Sequence, residues 1–530
     1  MAVNMKPVLT SEEMKKCEQY TIEQVGIPSL VLMEKAALFV CSRIKDEAAG
    51  KILIICGYGN NGADGLAAAR ILAGRGHQVQ IVMVGREEKA TKENQLQQHI
   101  LEQLCISVKR GIDTVRETDC YEFVIDALFG IGLHRDLEGE VLKAVRLINT
   151  IRQKQGAKVI AVDLPSGLHA DSGSIMKDAV MADETVTFQW KKTGMLLGKG
   201  PLCCGKTIVG DIGICKVDLA VDHYLVEDGD LLELPYRTPY GNKGTYGKIL
   251  SVTGSETMAG AMVLSTQAAF RSGAGMVRVL SHRNNRQVLF SAVPEALFVD
   301  YDQIMNLDQT PIMAVEKMKE YFEWSTSLLI GCGLSKDKAA ELLTEYVMCH
   351  YEKTAIVDGD ALNIISKHLD WLIARKDKGY PTVLTPHPLE FSRLCGLPVE
   401  DAKHQDMDYC MHWAAEYGCI LVLKDAVTLI TDGKTVYISD SGTDALATAG
   451  SGDVLAGMIV MFAVMDNGSE GVQRQRADSS LAADMAVKTA VAVFVHGKAG
   501  CYAAEQYHRA SVKAGDLPEM IPKVLKEGGI

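Results

Sequence analysis

Short apolar runs that stop at glycine clusters and give way to helical stretches recur through this chain, and that alternation restricts what it can fold into. Lys51–Cys56 (KILIIC) ends at Gly57 and is followed by the alanine-rich Gly65–Ala73, which reads as a helix. Gln78–Val84 (QVQIVMV) is the next strand, then a polar helical stretch near Thr91–Leu104. Phe123–Asp126, Val159–Asp163 and Glu184–Phe188 supply further strands. Continuously apolar strands separated by helices predict a mostly parallel, doubly wound α/β sheet of the Rossmann-like kind. Ahead of it, Thr10 with Glu13 makes a capping box for a helix to about Gln24. A second helix is expected near Leu30–Ile44, after the GIPS break.

At 530 residues the chain exceeds one ordinary core. Around Val221–Lys248 the pattern loosens into acidic residues and then PYRTPYGNKGTYG, which places a boundary between domains 1–222 and 223–530. The α/β grammar then restarts, with strands at Ile249–Thr253, Val277–Leu280, Leu328–Ile330, Ala355–Asp358, Thr382–Thr385 and Ile420–Lys424. Thr428–Thr431 and Thr435–Ser439 form a hairpin pattern around Asp432–Gly433. Two long apolar helices, about Asp453–Met465 and Leu481–Ala499, close the chain.

A net charge of -12 argues against a nucleic-acid partner, and 47% hydrophobic with 23% charged residues is a globular profile. Met1–Thr10 has no secretory pattern, and the apolar stretch Val454–Met465 is too short to span a bilayer, so neither secretion nor a membrane partner is expected. Fourteen scattered cysteines without a C-x-x-C pair read as free thiols of a cytoplasmic protein.

The loop after the first strand, Gly57-Tyr58-Gly59-Asn60-Asn61-Gly62-Ala63-Asp64-Gly65, brings backbone N–H groups toward an anion at a helix start. Two other strand ends carry acids: Asp126 before Ala127-Leu128-Phe129-Gly130-Ile131-Gly132-Leu133, and Asp163 before Leu164-Pro165-Ser166-Gly167. Ligands of doubly wound sheets bind at such ends; both acids could otherwise simply cap the segments that follow. Together with GIPSLVLMEKAA, these motifs resemble the epimerase domain of the NAD(P)H-hydrate repair family over roughly residues 1–222. The resemblance implies that hydrated NADH or NADPH is bound by Asn60, Asn61, Gly62, Ala63 and Asp64, by Gly130, Ile131, Gly132, Leu133, His134, Arg135 and Asp136, and by Asp163. It implies a potassium ion on Asn61, Asp126 and Ser166, whose oxygens suit a hard cation. Asp163 is the candidate acid or base for exchange of R and S hydrates at nicotinamide C6, with Lys192 of FQWKKTG as partner. Ala63 stands where the family has glycine, and Lys191 is an adjacent alternative to Lys192.

The strongest signal is Ala447-Thr448-Ala449-Gly450-Ser451-Gly452-Asp453, small residues running into a long helix. Such a helix start can hold a phosphoryl group in transfer, with Asp453 placed to take a proton; an ordinary N-cap is the plain alternative. It follows Met258-Ala259-Gly260-Ala261, Gly331-Cys332-Gly333, Val357-Asp358, Thr385-Pro386-His387-Pro388-Leu389-Glu390 and Lys424-Asp425-Ala426-Val427-Thr428. This is similar to the ribokinase-like superfamily, and more narrowly to its NAD(P)H-hydrate dehydratases, over about residues 237–530. The resemblance implies hydrate contacts at Ala261, Gly333, His387 and Asp453. It implies an adenine nucleotide on Lys424, Asp425, Ala426, Val427, Thr428 and Gly452, and catalysis by Asp453. It also implies magnesium and ADP, with ATP left open, phosphorylation of the C6 hydroxyl, and loss of phosphate. Homo-oligomers are common in this fold class. Cys332, where the family has proline, and Asn242, Ser335, Gly359 and Leu389 depart from the pattern beside these contacts.

Two other readings stay open on the residues alone: a ribokinase-like vitamin kinase with a stable phosphorylated product, and an N-terminal half that only senses a dinucleotide.

Overall fold

The computed structural model describes residues 5–45, 50–116, 119–217, 222–233, 237, 239–301, 311–399, 407–465 and 481–529. Residues 1–4 of the N-terminal stretch, and 221, 234–236 and 238 of the loosened stretch, lie outside that set. The chain divides into Pro7–Val221 and a second unit of Asp222–Ile530 with Met1–Lys6. The first residues therefore group with the C-terminal unit, through the two-residue strand β1 (Lys6–Pro7) at one edge of its sheet.

The N-terminal unit is built on β2 (Ile52–Cys56), β3 (Val79–Met83), β4 (Val108–Arg110), β5 (Phe123–Ala127), β6 (Lys158–Val162), β7 (Glu184–Phe188) and β8 (Lys206–Gly210). They lie in the order β4-β3-β2-β5-β6-β7-β8, and all pairings are parallel. Successive side chains of a strand face opposite sides. Accordingly Ile52, Ile54 and Cys56 enter one buried cluster, while Leu53 and Ile55 enter another on the opposite face. The chain leaves β2 in one direction for β3 and β4, and resumes at β5 on its other side. The carboxyl ends of β2 and β5 thus flank a topological switch point, where this architecture opens a crevice.

The Thr10–Glu13 capping box is present, with Thr10 N donating to Glu13 Oε2 at 2.8 Å, and it starts the helix Ser11–Tyr20. One expectation shifts: the helix after β2 begins at Asn60 and runs to Gly74, so Asn60–Asp64 form its first turn rather than a loop. Gly62 makes this possible, because a methyl there would collide with the Gly57 carbonyl.

The C-terminal unit continues with β9 (His223–Leu225), β10 (Lys248–Val252), β11 (Met276–Ser281), β12 (Leu297–Asp300), β13 (Ser327–Ile330), β14 (Thr354–Val357), β15 (Thr382–Leu384), β16 (Ile420–Leu423), β17 (Thr428–Thr431) and β18 (Val436–Ser439). The sheet order is β1-β9-β18-β17-β16-β15-β14-β13-β10-β11-β12. From β12 to β16 every pairing is parallel, whereas β16–β17 and β17–β18 are antiparallel, which is the hairpin read at Asp432–Gly433. Here the switch point lies between β10 and β13. The apolar helix Ser451–Phe462 packs on Ala259–Arg271 and on Leu481–Tyr507 within one large core. Among the described residues no helix is long and apolar enough to cross a membrane.

Candidate active sites

The carboxyl ends of β2, β5 and β6 open into a cavity of about 510 Å³ in the N-terminal unit. Asn60, Asn61, Asp64, Gly130, Ile131, Gly132, Asp163 and Lys192 all line it. Leu133, His134, Arg135 and Asp136 line a neighbouring cavity of about 740 Å³, which shares Gly59, Phe129 and Gly132 with the first. Gly62 and Ala63 line neither; Gly62 packs against the Gly57 backbone and Ala63 is buried in the core.

Asp163 follows β6 directly and takes a left-handed backbone, φ 64°, which is costly for a residue with a side chain. Hydrogen bonds from Asp163 N to Val186 O and from Leu164 N to Val162 O, both 2.8 Å, hold the turn. Its carboxylate meets Lys192, whose Nζ donates to Asp163 Oδ1 at 2.5 Å and to Thr187 Oγ1 at 2.7 Å. Lys192 is only 1% exposed, so this ion pair is buried on the lysine side. Of the two adjacent lysines, Lys192 is placed against Asp163. Gly130 brings Asn61 to the same spot, since a Cβ there would lie 2.9 Å from Asp163 Oδ2 and 3.2 Å from Asn61 Oδ1.

Behind this pair, the buried Asp126 carboxylate accepts Ser166 Oγ at 2.6 Å and Ser166 N at 2.8 Å. Ser166 Oγ also lies 3.4 Å from Phe129 O. Burial pushes Asp126 up to about 6, against these hydrogen bonds. Asn61 Nδ2 is buried with no hydrogen-bond partner among the described residues.

In the C-terminal unit Gly450 takes φ 94°, a left-handed turn that suits glycine, and the helix Ser451–Phe462 starts without a side-chain cap. Its first N–H groups are therefore left for an anion. The adjoining cavity, about 760 Å³, is lined by Gly452, Lys424, Asp425, Ala426, Thr428 and His387 among others. Val427 sits in the same loop without lining it. Ala261 and Gly333 pack together at the ends of β10 and β13; a Cβ on Gly333 would lie 2.8 Å from Ala261 Cβ.

Asp453 joins Cys332 and Asp358 in a cluster whose ligand atoms lie within 4.8 Å of one another. Burial, then the charge of Asp358, pushes Asp453 up to about 6, with Cys332 and Lys424 opposing. Asp358 itself is held by Lys424 Nζ at 2.8 Å and Thr385 Oγ1 at 2.6 Å. His387 N donates to Glu390 Oε2 at 2.9 Å, closing a capping box on the helix Pro388–Cys395. Burial pushes Glu390 up to about 7 and His387 down.

Several neighbours of the reacting groups were not singled out from the sequence. Asp358, Cys332 and Glu390 stood inside motifs already recognised, and their position at strand and helix ends was the available signal. Thr187 carried none, because it sits in an ordinary strand pattern.

Residues 249–523 match the family model described as NAD(P)H-hydrate dehydratase, and residues 29–194 match that of the YjeF-related protein N-terminus. A bifunctional NAD(P)H-hydrate repair enzyme of Moorella thermoacetica is 33% identical, over 98% of this chain and 96% of its own. One from Thermofilum pendens is also 33% identical, over 97% and 95%. A Bacillus subtilis ADP/ATP-dependent NAD(P)H-hydrate dehydratase, co-crystallised with ATP and Mg2+, aligns with a TM-score of 0.44 and 26% identity over 56% of this chain and 96% of that one. With both family models in order and near full-length relatives at this identity, the chain belongs to the bifunctional NAD(P)H-hydrate repair enzymes.

Proposed function

We propose that Pro7–Val221 exchanges the R and S hydrates of NADH and NADPH, and that the C-terminal unit dehydrates the S form at the expense of ADP. What supports this is the pairing of two separate acid sites in one chain: Asp163 with buried Lys192, and Asp453 at an uncapped helix start. In the first, Asp163 moves the proton of the C6 hydroxyl while Lys192 holds the carboxylate in place. Asn60, Asn61, Asp64 and the Gly130–Asp136 segment carry the rest of the dinucleotide along two cavities that share lining residues. A potassium ion fits Asp126, Ser166 and Asn61: carboxylate, hydroxyl and amide oxygens are the right donors, and the partnerless Asn61 amide is free to turn its oxygen inward. Such an ion would fix the β5 and β6 loops.

In the second unit Asp453 takes the proton of the C6 hydroxyl as that oxygen attacks the terminal phosphoryl of ADP, and AMP leaves. Loss of phosphate with the C5 proton then restores the dihydronicotinamide ring. Lys424–Thr428 and Gly452 hold the nucleotide; Ala261, Gly333 and His387 hold the hydrate. Magnesium would neutralise the phosphates. Asp425 and Asp444 are the only acids lining the nucleotide cavity among the described residues, which suits an ion held mainly by phosphate and water. Among the described residues the fourteen cysteines form no disulfide, which supports a cytoplasmic setting.

The test follows each hydrate separately by chromatography, without nucleotide and then with ADP. Interconversion that persists undiminished in Asp163→Asn would overturn the first assignment; S-hydrate loss that persists in Asp453→Asn would overturn the second.

A further inference from the structure

The N-terminal cavity contains an acid that the assignment above leaves without a task. Glu18 lines it together with Asp163 and Lys192. Its helix, Ser11–Tyr20, is anchored to the loop that carries Lys192. Leu9 bridges Lys192, with Leu9 N donating to Lys191 O and Thr193 N to Leu9 O, each 3.1 Å. Asp171 then accepts Ser11 N at 2.6 Å and Ser11 Oγ at 2.8 Å. Met14, one turn before Glu18 and therefore on the same helix face, is buried and also lines the cavity. Glu18 thus enters from a helical wall, whereas Asp163 enters from a strand end.

Such anchoring would be wasted on a solvated glutamate. Among the described residues the Glu18 carboxyl has no hydrogen-bond or ion-pair partner, although it is half-buried. Burial, then the charge of Asp163, raises it above the usual carboxyl range, while Lys192 pulls the other way. A carboxyl kept neutral by burial beside a lysine-paired carboxylate is the pattern of an acid and a base sharing one site.

Inversion at C6 has a matching requirement. An acid on one face protonates the hydroxyl; the C6–O bond breaks, its electron pair leaves with water, and the N1 lone pair forms the N1=C6 bond. Water then attacks C6 from the other face, the π pair returns to N1, and a base on that face accepts the proton. One proton is given and one taken, so exchange with solvent resets both groups. We infer that Glu18 is the second catalytic acid–base of this cavity, acting on the face of C6 opposite Asp163. This rests on the epimerase reading given above.

The test uses the full chain without nucleotide, with single epimers carrying oxygen-18 at the C6 hydroxyl. Wild type should interconvert the epimers and release label from both. In Glu18→Gln interconversion should fall about 100-fold or more. Label loss should survive from one epimer, whose hydroxyl faces Asp163, and vanish from the other; Asp163→Asn should show the reverse pattern. Glu18→Asp should restore part of the lost exchange. Wild-type interconversion by Glu18→Gln overturns the inference, and so does equal loss of label release from both epimers, the mark of a structural role. Failure of wild type itself to interconvert the epimers overturns the reading of the unit instead.

Discussion

Asp453 opens its helix beside Asp358 and Lys424, and the balance among these charges sets a measurable pH dependence for dehydration. Its carboxyl is pushed from 3.8 to about 6, chiefly by burial and then by Asp358. A general base works only when ionised. The ionised fraction is about one half at pH 6 and about one eleventh at pH 5, so kcat/KM should fall about tenfold between pH 7 and pH 5. An aspartate left at 3.8 would lose only about a twentieth over that span. The assay is the initial return of dihydronicotinamide absorbance from S hydrate, with ADP and magnesium saturating. Asp358→Asn removes a repelling charge and should move the limb to lower pH, whereas Lys424→Met removes an attracting one and should move it higher. Asp453→Asn should cost about 10²–10⁴ in rate and abolish the limb. A wild-type limb near pH 4, or an upward shift in Asp358→Asn, would refute the reasoning.

Three further outcomes are expected. Lys192→Met leaves Asp163 without its cation, so hydrate interconversion should drop by about 10²–10⁴ while ADP-dependent dehydration of pure S hydrate is unchanged. Gly62→Ala forces a methyl into the Gly57 carbonyl, and should lower the urea stability of the N-terminal unit by about 1–3 kcal/mol. His496 is buried, and its pKa falls to about 4. Below pH 6.5 the unfolded chain takes up a proton that the fold refuses, so stability is full above 6.5 and is lost as pH falls toward 4. Over pH 7 to 5 that amounts to about 2 kcal/mol, which His496→Gln should remove. Glu390 and Asp453, pushed up by burial, act with the opposite sign, so the comparison in urea is between this variant and wild type.

Much of this architecture was legible in the residues. KILIIC, FVID and VIAVD are apolar enough to be strands buried on both faces, and each lies within a residue or two of its observed span. One cap was equally readable: Thr10 sits one residue before its helix, as a side-chain acceptor for the first turn must. Illegible were the edges. Val108–Arg110, Lys206–Gly210 and Leu297–Asp300 are short or exposed edge strands paired on one side, so they lack the continuous apolar run of a strand buried on both faces. The start of the helix at Asn60 was missed for a different reason. Glycines read as loop by propensity, but Gly62 and Gly65 are there for close packing, Gly65 against Ala127 and Cys56. At the sites, acids at strand ends were visible, while Glu18 looked like any polar residue of a surface helix. The Leu9–Lys192 bridge and the Ser11–Asp171 hydrogen bonds, between distant segments, turn it inward.

The most direct test of the central claim gives the full chain an equal mixture of R and S NADPH hydrates and follows the return of dihydronicotinamide absorbance with ADP, with ATP and with neither. Recovery of the whole mixture that requires a nucleotide, reduced in Asp163→Asn to prompt recovery of the S half alone, is the predicted result. No recovery with either nucleotide, or a stable phosphorylated product, would contradict it and make the C-terminal unit a kinase.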